Sequence, residues 1–559
     1  MKIEHFFNQE NFSQKEISSC SGFLLTNNLG GYLWLNSFPT SRYQGWFFRF
    51  EEKLFKIVED IYPTNQKEVS LLRNNFFNVQ RERGALKESF FVPHLRDALV
   101  YQLNEKTCFQ VSFDFKETYD NSEKDDNYEF SKKRDVLIVK MGSFFLAAKS
   151  DGFLKEVKKR ISRDYSFDRA RNSPPFSRDV LIGFEVSLSK KLILAVAKTK
   201  KAALKEVNYV FRHIFSLKQE KKAQLKSLNP KRKAFWSKET TLSQLCALNS
   251  LNDLLVFDVQ RKIRGIYAGL PWFFQFWHRD EAISLVSVEK KLAKILFFER
   301  VLGPQQENKL TQGSFLWFLF REQGLSFSFF EKRKIKSFLK DNFQPNSDFC
   351  FEQSWMDTLE RKGALEMQAL KLMALRTAFH LTSNMGYQKH EEELLKKVKK
   401  EFFQNGILAD SLGNFEIRPN IFLAYYIYPF LLPRLKWEKC FEIALEKLWL
   451  DWGGLASLDK SCSSFCGFHT GENPKSYHQG DSWFFINNLA ALALFKVNAE
   501  KFAFYIQKIL KASQEEILWQ GLIGRQSELS SAFEFNAKGC LCQAWSNALF
   551  LEALKEIDF

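Results

Sequence analysis

The chain has 559 residues, 45% apolar and 26% charged, an ordinary globular composition that excludes a disordered or fibrous protein. Eighty-one Lys and Arg against 65 Asp and Glu give a net charge of +16, but the basic residues are dispersed. Short clusters at Lys158-Lys159-Arg160, Lys221-Lys222 and Lys231-Arg232-Lys233 carry no zinc-finger, helix-turn-helix or RNP spacing, so a solvated basic surface is favoured over nucleic-acid binding.

The N-terminal MKIEHFFNQENFSQKE lacks the apolar centre of a secretory signal, and no run reaches the ~18 apolar residues of a membrane span. Nine scattered cysteines form no disulfide framework and predict reduced thiols in a cytoplasmic protein. Between residues 22 and 200, short β-branched and aromatic runs (45–56, 89–92, 99–103, 109–115, 135–141, 144–148, 180–188 and 191–197) alternate with turn signals such as Asn-Leu-Gly-Gly and Asn-Ser-Pro-Pro. The pattern predicts an antiparallel β-sandwich over residues 1–200. The acidic stretch 117–127 reads as an exposed hairpin or loop. Residues 201–233 are Lys-rich with helical period and end at Asn229-Pro230, which predicts a helical linker.

From residue 234 to 559 the signals are helical: 241–257, 280–301, 311–320, 331–340, 364–382, 389–403, 420–433, 437–449, 481–494, 500–513 and 541–556. So many helices in one block predict an all-helical toroid. The segment 364–379 is apolar over most of its circumference, as a buried inner helix requires.

Five loops in this half mix polar and aromatic residues. The first holds Trp272, Trp277, Arg279 and Asp280, a donor fork, an acceptor pair and apolar platforms that suit a polyhydroxylated ring. The second is Gln353-Ser-Trp-Met-Asp357, followed by Glu366 on the apolar helix. Asp357 beside Trp355 and Met356 has the desolvated setting that raises a carboxyl pKa. Arg418 and Asn420 lie in the third. The fourth is Ser476-Tyr-His-Gln-Gly480 with Trp483, and the fifth runs through Glu528 to Gln543 and Trp545. Each loop alone reads equally as a helix cap; together at one end of a toroid they would make one carbohydrate pocket. Cys462, Cys466, Cys540 and Cys542 fit no standard zinc spacing, and the nucleotide-binding and serine-hydrolase motifs are missing, so neither metal nor cofactor is expected.

At these segments the sequence resembles the bacterial and archaeal glycogen debranching enzymes of the amylo-alpha-1,6-glucosidase family. Thr26-Asn-Asn-Leu-Gly-Gly-Tyr32 and Arg42-Tyr-Gln-Gly45 are similar to the family's T-N-G-L-G-G-Y and R-Y-H-G. Residues 268–280 are similar to A-G-Y-P-W-F-x-x-W-G-R-D, Ser354 to Asp357 to T-W-M-D, and residues 364–369 to V-E-I-N-A. Residues 417–420 match I-R-P-N, Tyr477 to Gly480 match Y-H-Q-G, and Gly539 to Ser546 resemble G-C-I-A-Q-A-W-S. The chain departs from the pattern at Gln44, His278 and Gly313-Ser314 and in a shorter segment after Asp357.

The resemblance implies an N-terminal β-sandwich, a C-terminal (α/α)6 barrel, and inverting hydrolysis that releases glucose from α-1,6 branch points of glycogen or another branched α-glucan. It carries the general acid to Asp357 and the general base to Glu528, whose polar Gln-Ser-Glu surroundings suit an ionised base. The substrate-binding candidates are Trp272, Trp277, Arg279, Asp280, Trp355, Glu366, Arg418, Asn420, His478, Gln479, Trp483, Gln543 and Trp545. Nucleic acid and membrane are not expected partners. A glucoamylase-like exo-α-1,4-glucosidase and a weakly active glucan-binding protein are the alternatives.

Overall fold

The computed structural model describes residues 1–18, 22–64, 67–122, 128–228, 233, 236–258, 262–303 and 310–557. Contacts divide the chain into two compact units. The first is Met1–Arg264 with Gly269–Phe274 and Glu516–Arg525; the second is Gly265–Ala268 with Gln275–Glu515 and Gln526–Phe559.

The first unit is built on two sheets. The larger is organised around the long antiparallel strands Ala98–Phe113 and Ser177–Ala197. The smaller has five strands, from Phe23–Thr26 to Lys116–Glu117. Aromatic side chains fill the space between them: Phe23 meets Phe90 with ring centroids 5.1 Å apart, and Phe48, Phe50 and Phe55 gather around Phe144. The runs at 99–103 and 109–115 are one strand, as are those at 180–188 and 191–197. Register shifts between Gln102 and Phe109 let the pair bend without breaking. The run 45–56 is instead two strands, Gly45–Phe50 and Lys53–Val58. Strand Phe153–Asp164 gives no sequence signal because most of it is exposed and basic.

Helix Lys200–Ser227 starts where the Thr199 hydroxyl accepts the Ala202 N–H. Ala203, Val207, Val210 and Leu217 lie on one helical stripe and pack against Ala98, Val100, Ile138, Ala147 and Ile193 of the large sheet. The segment read as a linker is therefore a layer of the first unit. Asn229-Pro230, Lys231-Arg232, Cys20 and residues 123–127 of the acidic stretch lie outside the described residues. Helix Lys238–Leu254 packs on strands Phe12–Glu16 and Phe23–Thr26, which carries the contact boundary to residue 264, beyond the 233/234 of the sequence reading.

In the second unit six helices touch in sequence and close on themselves: His278–Ser284, Gln312–Glu322, Leu365–Thr382, Asn420–Ile427, Phe484–Asn498 and Ala544–Glu556, the last returning to the first. Ring helices meet neighbours on several sides, so their residues are buried around most of the circumference. In Phe484–Asn498, Phe484 through Leu494 are all buried. Helices outside the ring bury one stripe only, as Tyr387, Glu391, Leu394, Val398 and Phe402 do in Met385–Phe402. The predicted helix 280–301 is two helices separated by a 3-10 turn and extended Val288. The predicted 420–433 stops at Ile427, since Pro429 has no N–H to continue the ladder. Among the described residues no helix is long and apolar enough to cross a membrane.

Candidate active site

Helix His278–Ser284 carries Arg279 and Asp280 in its first turn, where an acidic residue meets the partial positive charge of the helix N-terminus. The Arg279 guanidinium spreads over three groups. Its Nε lies 3.3 Å from Asp280 Oδ2, its Nη1 donates to the Ser354 carbonyl at 3.3 Å, and its Nη2 is 3.7 Å from Asp357 Oδ2. The same guanidinium sits 5.3 Å from the Trp545 ring centroid. Asp280 is fully buried, and its Oδ1 has no hydrogen-bond partner.

Asp357 follows a loop anchored by Trp355. The indole N–H of Trp355 donates to Asn420 Oδ1 at 2.7 Å, and its ring stands edge-on to His478, Trp483 and Phe485. Trp483 stacks on the His478 imidazole at 5.0 Å with a 4° interplanar angle, and Phe485 stacks on Trp545 at 4.3 Å. These rings form an aromatic wall. His478 Nδ1 lies 2.6 Å from the Thr358 hydroxyl, next in sequence to Asp357, while its buried Nε2 has no partner. Burial, with Arg279, Arg361 and Arg418 nearby, keeps this imidazole neutral.

Glu528 is fixed by a three-stranded sheet of two-residue strands. Leu529 pairs with Trp483 on one side and Lys538 on the other, and the Glu528 backbone bonds to Phe484 and Cys540. Its side chain accepts two hydrogen bonds, from the Tyr477 hydroxyl to Oε1 at 2.5 Å and from the Cys540 N–H to Oε2 at 2.9 Å. Gly539 makes the second bond possible. Its φ is +63°, and a Cβ at this position would stand 2.4 Å from Glu528 Oε2.

Burial pushes the Glu528 pKa up to about 8; the Tyr477 and Cys540 hydrogen bonds oppose the rise, and Asp357 and Asp280 add to it. Asp280 is raised to about 6 by burial against the pull of Arg279. Asp357 is also raised by loss of water, with Arg279 lowering it, although its side chain is 42% exposed. The expected settings are therefore corrected. Glu528, read as an ionised base in a polar loop, is the more enclosed carboxyl at 2% exposure, because the small sheet and Tyr477 cover a loop whose composition alone looks polar.

The structure gathers Asp357, Glu528, Arg279, Asp280, Trp355, His478, Trp483 and Trp545 through the contacts above. Gln543 is buried with Oε1 unpartnered, and Gln479 is half-buried. Arg418 holds the loop backbone, donating to the His478 and Ser457 carbonyls. Glu366 is held by Arg361 through both carboxylate oxygens, and Asn420 bridges Trp355 and Asp410. Trp277 caps its helix, 38% exposed. Trp272 belongs to the first unit, where Arg171 lies 3.5 Å from its ring centroid. Sequence reasoning missed Arg361, Asp410 and Tyr477 as participants; a Tyr directly before His478 was the available sign of the last. Gln44 turns inward to accept the backbone N–H groups of Thr40 and Ser41, a structural use of that position. Among the described residues no group of three or more His, Cys, Asp or Glu gathers in a metal-holding arrangement; His469 instead pairs with Asp481.

The fold of the chain is similar to that of a bacterial glucoamylase solved in complex with acarbose, at 10% identity and a TM-score of 0.63 over 96% of this chain and 93% of that one. Two glycosidase structures, one wild type and one variant in complex with glucose, match 58% of this chain and 99% of theirs, each at 13% identity and a TM-score of 0.43. The architecture is thus an N-terminal β-sheet region followed by an (α/α)6 toroid. The amylo-alpha-1,6-glucosidase family model matches residues 348–552, the segment holding Asp357, His478, Glu528 and Trp545.

Arg361 ties this segment together. Although burial works against its charge, Asp410 and Glu366 hold the guanidinium protonated, and it also donates to the Ser354 hydroxyl. Arg361→Ala would leave two buried carboxylates without a counter-ion and is expected to lower stability by about 3–5 kcal/mol, read from denaturant unfolding. Arg361→Lys should recover part of that loss.

Proposed function

We propose that the protein is a glycoside hydrolase that releases glucose from α-1,6 branch points of glycogen-type α-glucans with inversion. The observation that carries this reading is the convergence of Arg279, Asp280, Asp357, Tyr477 and Glu528, the last three inside the segment matched by the amylo-alpha-1,6-glucosidase family. Arg279 and the unpartnered Asp280 Oδ1 hold hydroxyls of the terminal glucose, whose apolar face rests on the aromatic wall. Asp357 gives its proton to the glycosidic oxygen as the bond from that oxygen to C1 breaks. Water attacks C1 from the opposite face and passes its proton to Glu528, leaving β-glucose and a free hydroxyl on the glucan. No cofactor takes part, and the substrate is glycogen or a similar branched α-glucan. The free thiols at Cys246, Cys350, Cys440, Cys540 and Cys542 are in keeping with a reducing, cytoplasmic setting.

Removing either carboxylate, Asp357→Asn or Glu528→Gln, should lower turnover by roughly 10²–10⁴-fold while binding survives. Glucose release from a phosphorylase limit dextrin, beside linear maltooligosaccharide, tests the linkage; preference for the linear substrate would support an exo-α-1,4-glucosidase. The first product seen by NMR should be the β-anomer, and α-glucose would point to a retaining route.

The high pKa of Glu528 favours a second reading, in which Glu528 donates the proton and Asp357 activates water. Glucosyl fluoride of β configuration is a poor guide for an α-specific site, so α-glucosyl fluoride, whose leaving group needs little protonation, is the discriminating substrate. Asp357→Asn should retain activity on it and Glu528→Gln should not; the reverse pattern exchanges the roles.

Under either assignment one proton is shared between two coupled carboxyls, and losing it ends activity. The alkaline limb of kcat/KM should therefore fall near pH 8, set by Glu528. Tyr477→Phe removes a bond that stabilises the ionised carboxylate, so the limb should move to higher pH. A limb that stays in place would separate Tyr477 from this titration. Gly539→Ala forces a Cβ against Glu528 Oε2 and should cut kcat by about 10²-fold with KM little changed, measured in steady-state kinetics.

A further inference from the structure

A second feature lies wholly within the first unit. A groove of about 980 Å³ runs between the N-terminal strand pair, the turn after strand Leu71–Asn74 and the last turns of helix Lys200–Ser227. That is the upper end of the ~300–1,000 Å³ typical of ligand pockets. Phenyl rings of Phe6, Phe12 and Phe77 line it; Phe6 is 40% exposed and packs edge-on to Phe12 at 6.3 Å. The turn from Asn75 to Asn78, closed by the Asn75 N–H on the Asn78 carbonyl, presents Phe77.

The polar lining is made mostly of amides. Among the described residues no carboxylate lines the groove, and two of its three cations are engaged: Arg73 donates to Glu4 at 2.6 Å, and the Lys222 ammonium stands 4.4 Å over the Phe77 ring, while Lys226 is exposed at the helix end. Asn78 is 3% exposed, and while its Nδ2 donates to the Ser89 hydroxyl, its Oδ1 accepts nothing. A buried acceptor without a donor is costly, and a ligand hydroxyl donating to it would relieve that cost.

We propose that this groove is a second, non-hydrolytic binding site for a neutral α-glucan chain. Sugar rings offer apolar C–H faces for the phenyl rings and paired hydroxyls for amides, which donate and accept side by side. A nucleotide or an acidic polymer would need several free cations, whereas here amides outnumber the cations and only Lys226 is left without an engagement named above. Having no acid or base, it grips a polymer without cleaving it and raises the local concentration of branch ends. The inference rests on the α-glucan reading of the substrate.

The test is affinity electrophoresis of the full-length protein in native gels containing glycogen. Wild type and Asp280→Ala should both be retarded, because the groove does not depend on the hydrolytic pocket. Phe6→Ala combined with Phe77→Ala should weaken retardation about tenfold, the loss of two ring contacts, while kcat/KM on a short branched oligosaccharide stays unchanged. Circular dichroism checks folding, and Phe6→Ala alone, at an exposed position, serves if the double variant fails to fold. Retardation that is absent in wild type, unaffected by both groove variants or abolished by Asp280→Ala overturns the inference. So does a groove that ignores glycogen and takes an apolar peptide in fluorescence polarisation. Ring-dependent retardation without any glucose release would instead overturn the hydrolase reading and leave the groove standing.

Discussion

Three carboxylates and one guanidinium gather in the candidate site: Arg279 lies against Asp280 and Asp357, and both of these acids act electrostatically on Glu528. One positive charge cannot keep three negative charges ionised where solvent is scarce, so the cluster must hold protons. Burial is the main cause of the raised pKa of all three acids, and neighbouring carboxylates add to it for Asp280 and Glu528. The same constraint accounts for the supporting groups. Tyr477 and the Cys540 N–H aim at Glu528, Arg279 aims at the other two, and His478 stays neutral, adding no second cation beside them.

Crowding needs a rigid frame, which the closed helical ring supplies. Its helices can be apolar on nearly every side because each meets neighbours around it, and the polar chemistry is left to the loops at their ends. Those loops are held by fixed charges. Arg361 clasps Glu366 and Asp410, and Arg418 holds the carbonyls of Ser457 and His478. Arg361 also donates to the Ser354 hydroxyl in the loop leading to Asp357, so the position of Asp357 depends on a neighbouring buried ion cluster.

Much of this was legible in the residues. The apolar segment at 364–379 identified an inner helix, and the loops holding Arg279, Asp357, His478, Glu528 and Trp545 carried enough aromatic and polar residues to be taken together. The missing parts required contacts across sequence. Arg361 and Asp410 lie 49 residues apart and look like ordinary surface charges until they meet. The enclosure of Glu528 depends on strands two residues long, which leave no periodic trace. Helix Lys200–Ser227 read as a linker because its many lysines mask a stripe of five buried apolar residues, the four named above and Leu225. Glu366 pointed to a pocket by its burial, yet the same burial is explained by its pairing with Arg361.

The net charge behaves differently from the site. Residues 1–264 hold 46 Lys and Arg against 31 Asp and Glu, while residues 265–559 are nearly balanced at 35 against 34. The excess is thus a property of the β-rich part of the sequence, where many of the lysines face water. Such charges act through solvent and are screened within about 8 Å at physiological salt. The interactions that set the protonation of Glu528 and Asp280 operate at hydrogen-bond distances in a buried site, where screening is slight. Salt should therefore leave the titration of the carboxyl cluster largely in place, since the long-range field and the chemistry draw on different groups. The +16 charge governs how the surface meets its surroundings, while the protonation of the candidate site is set by one arginine and the burial of three acids.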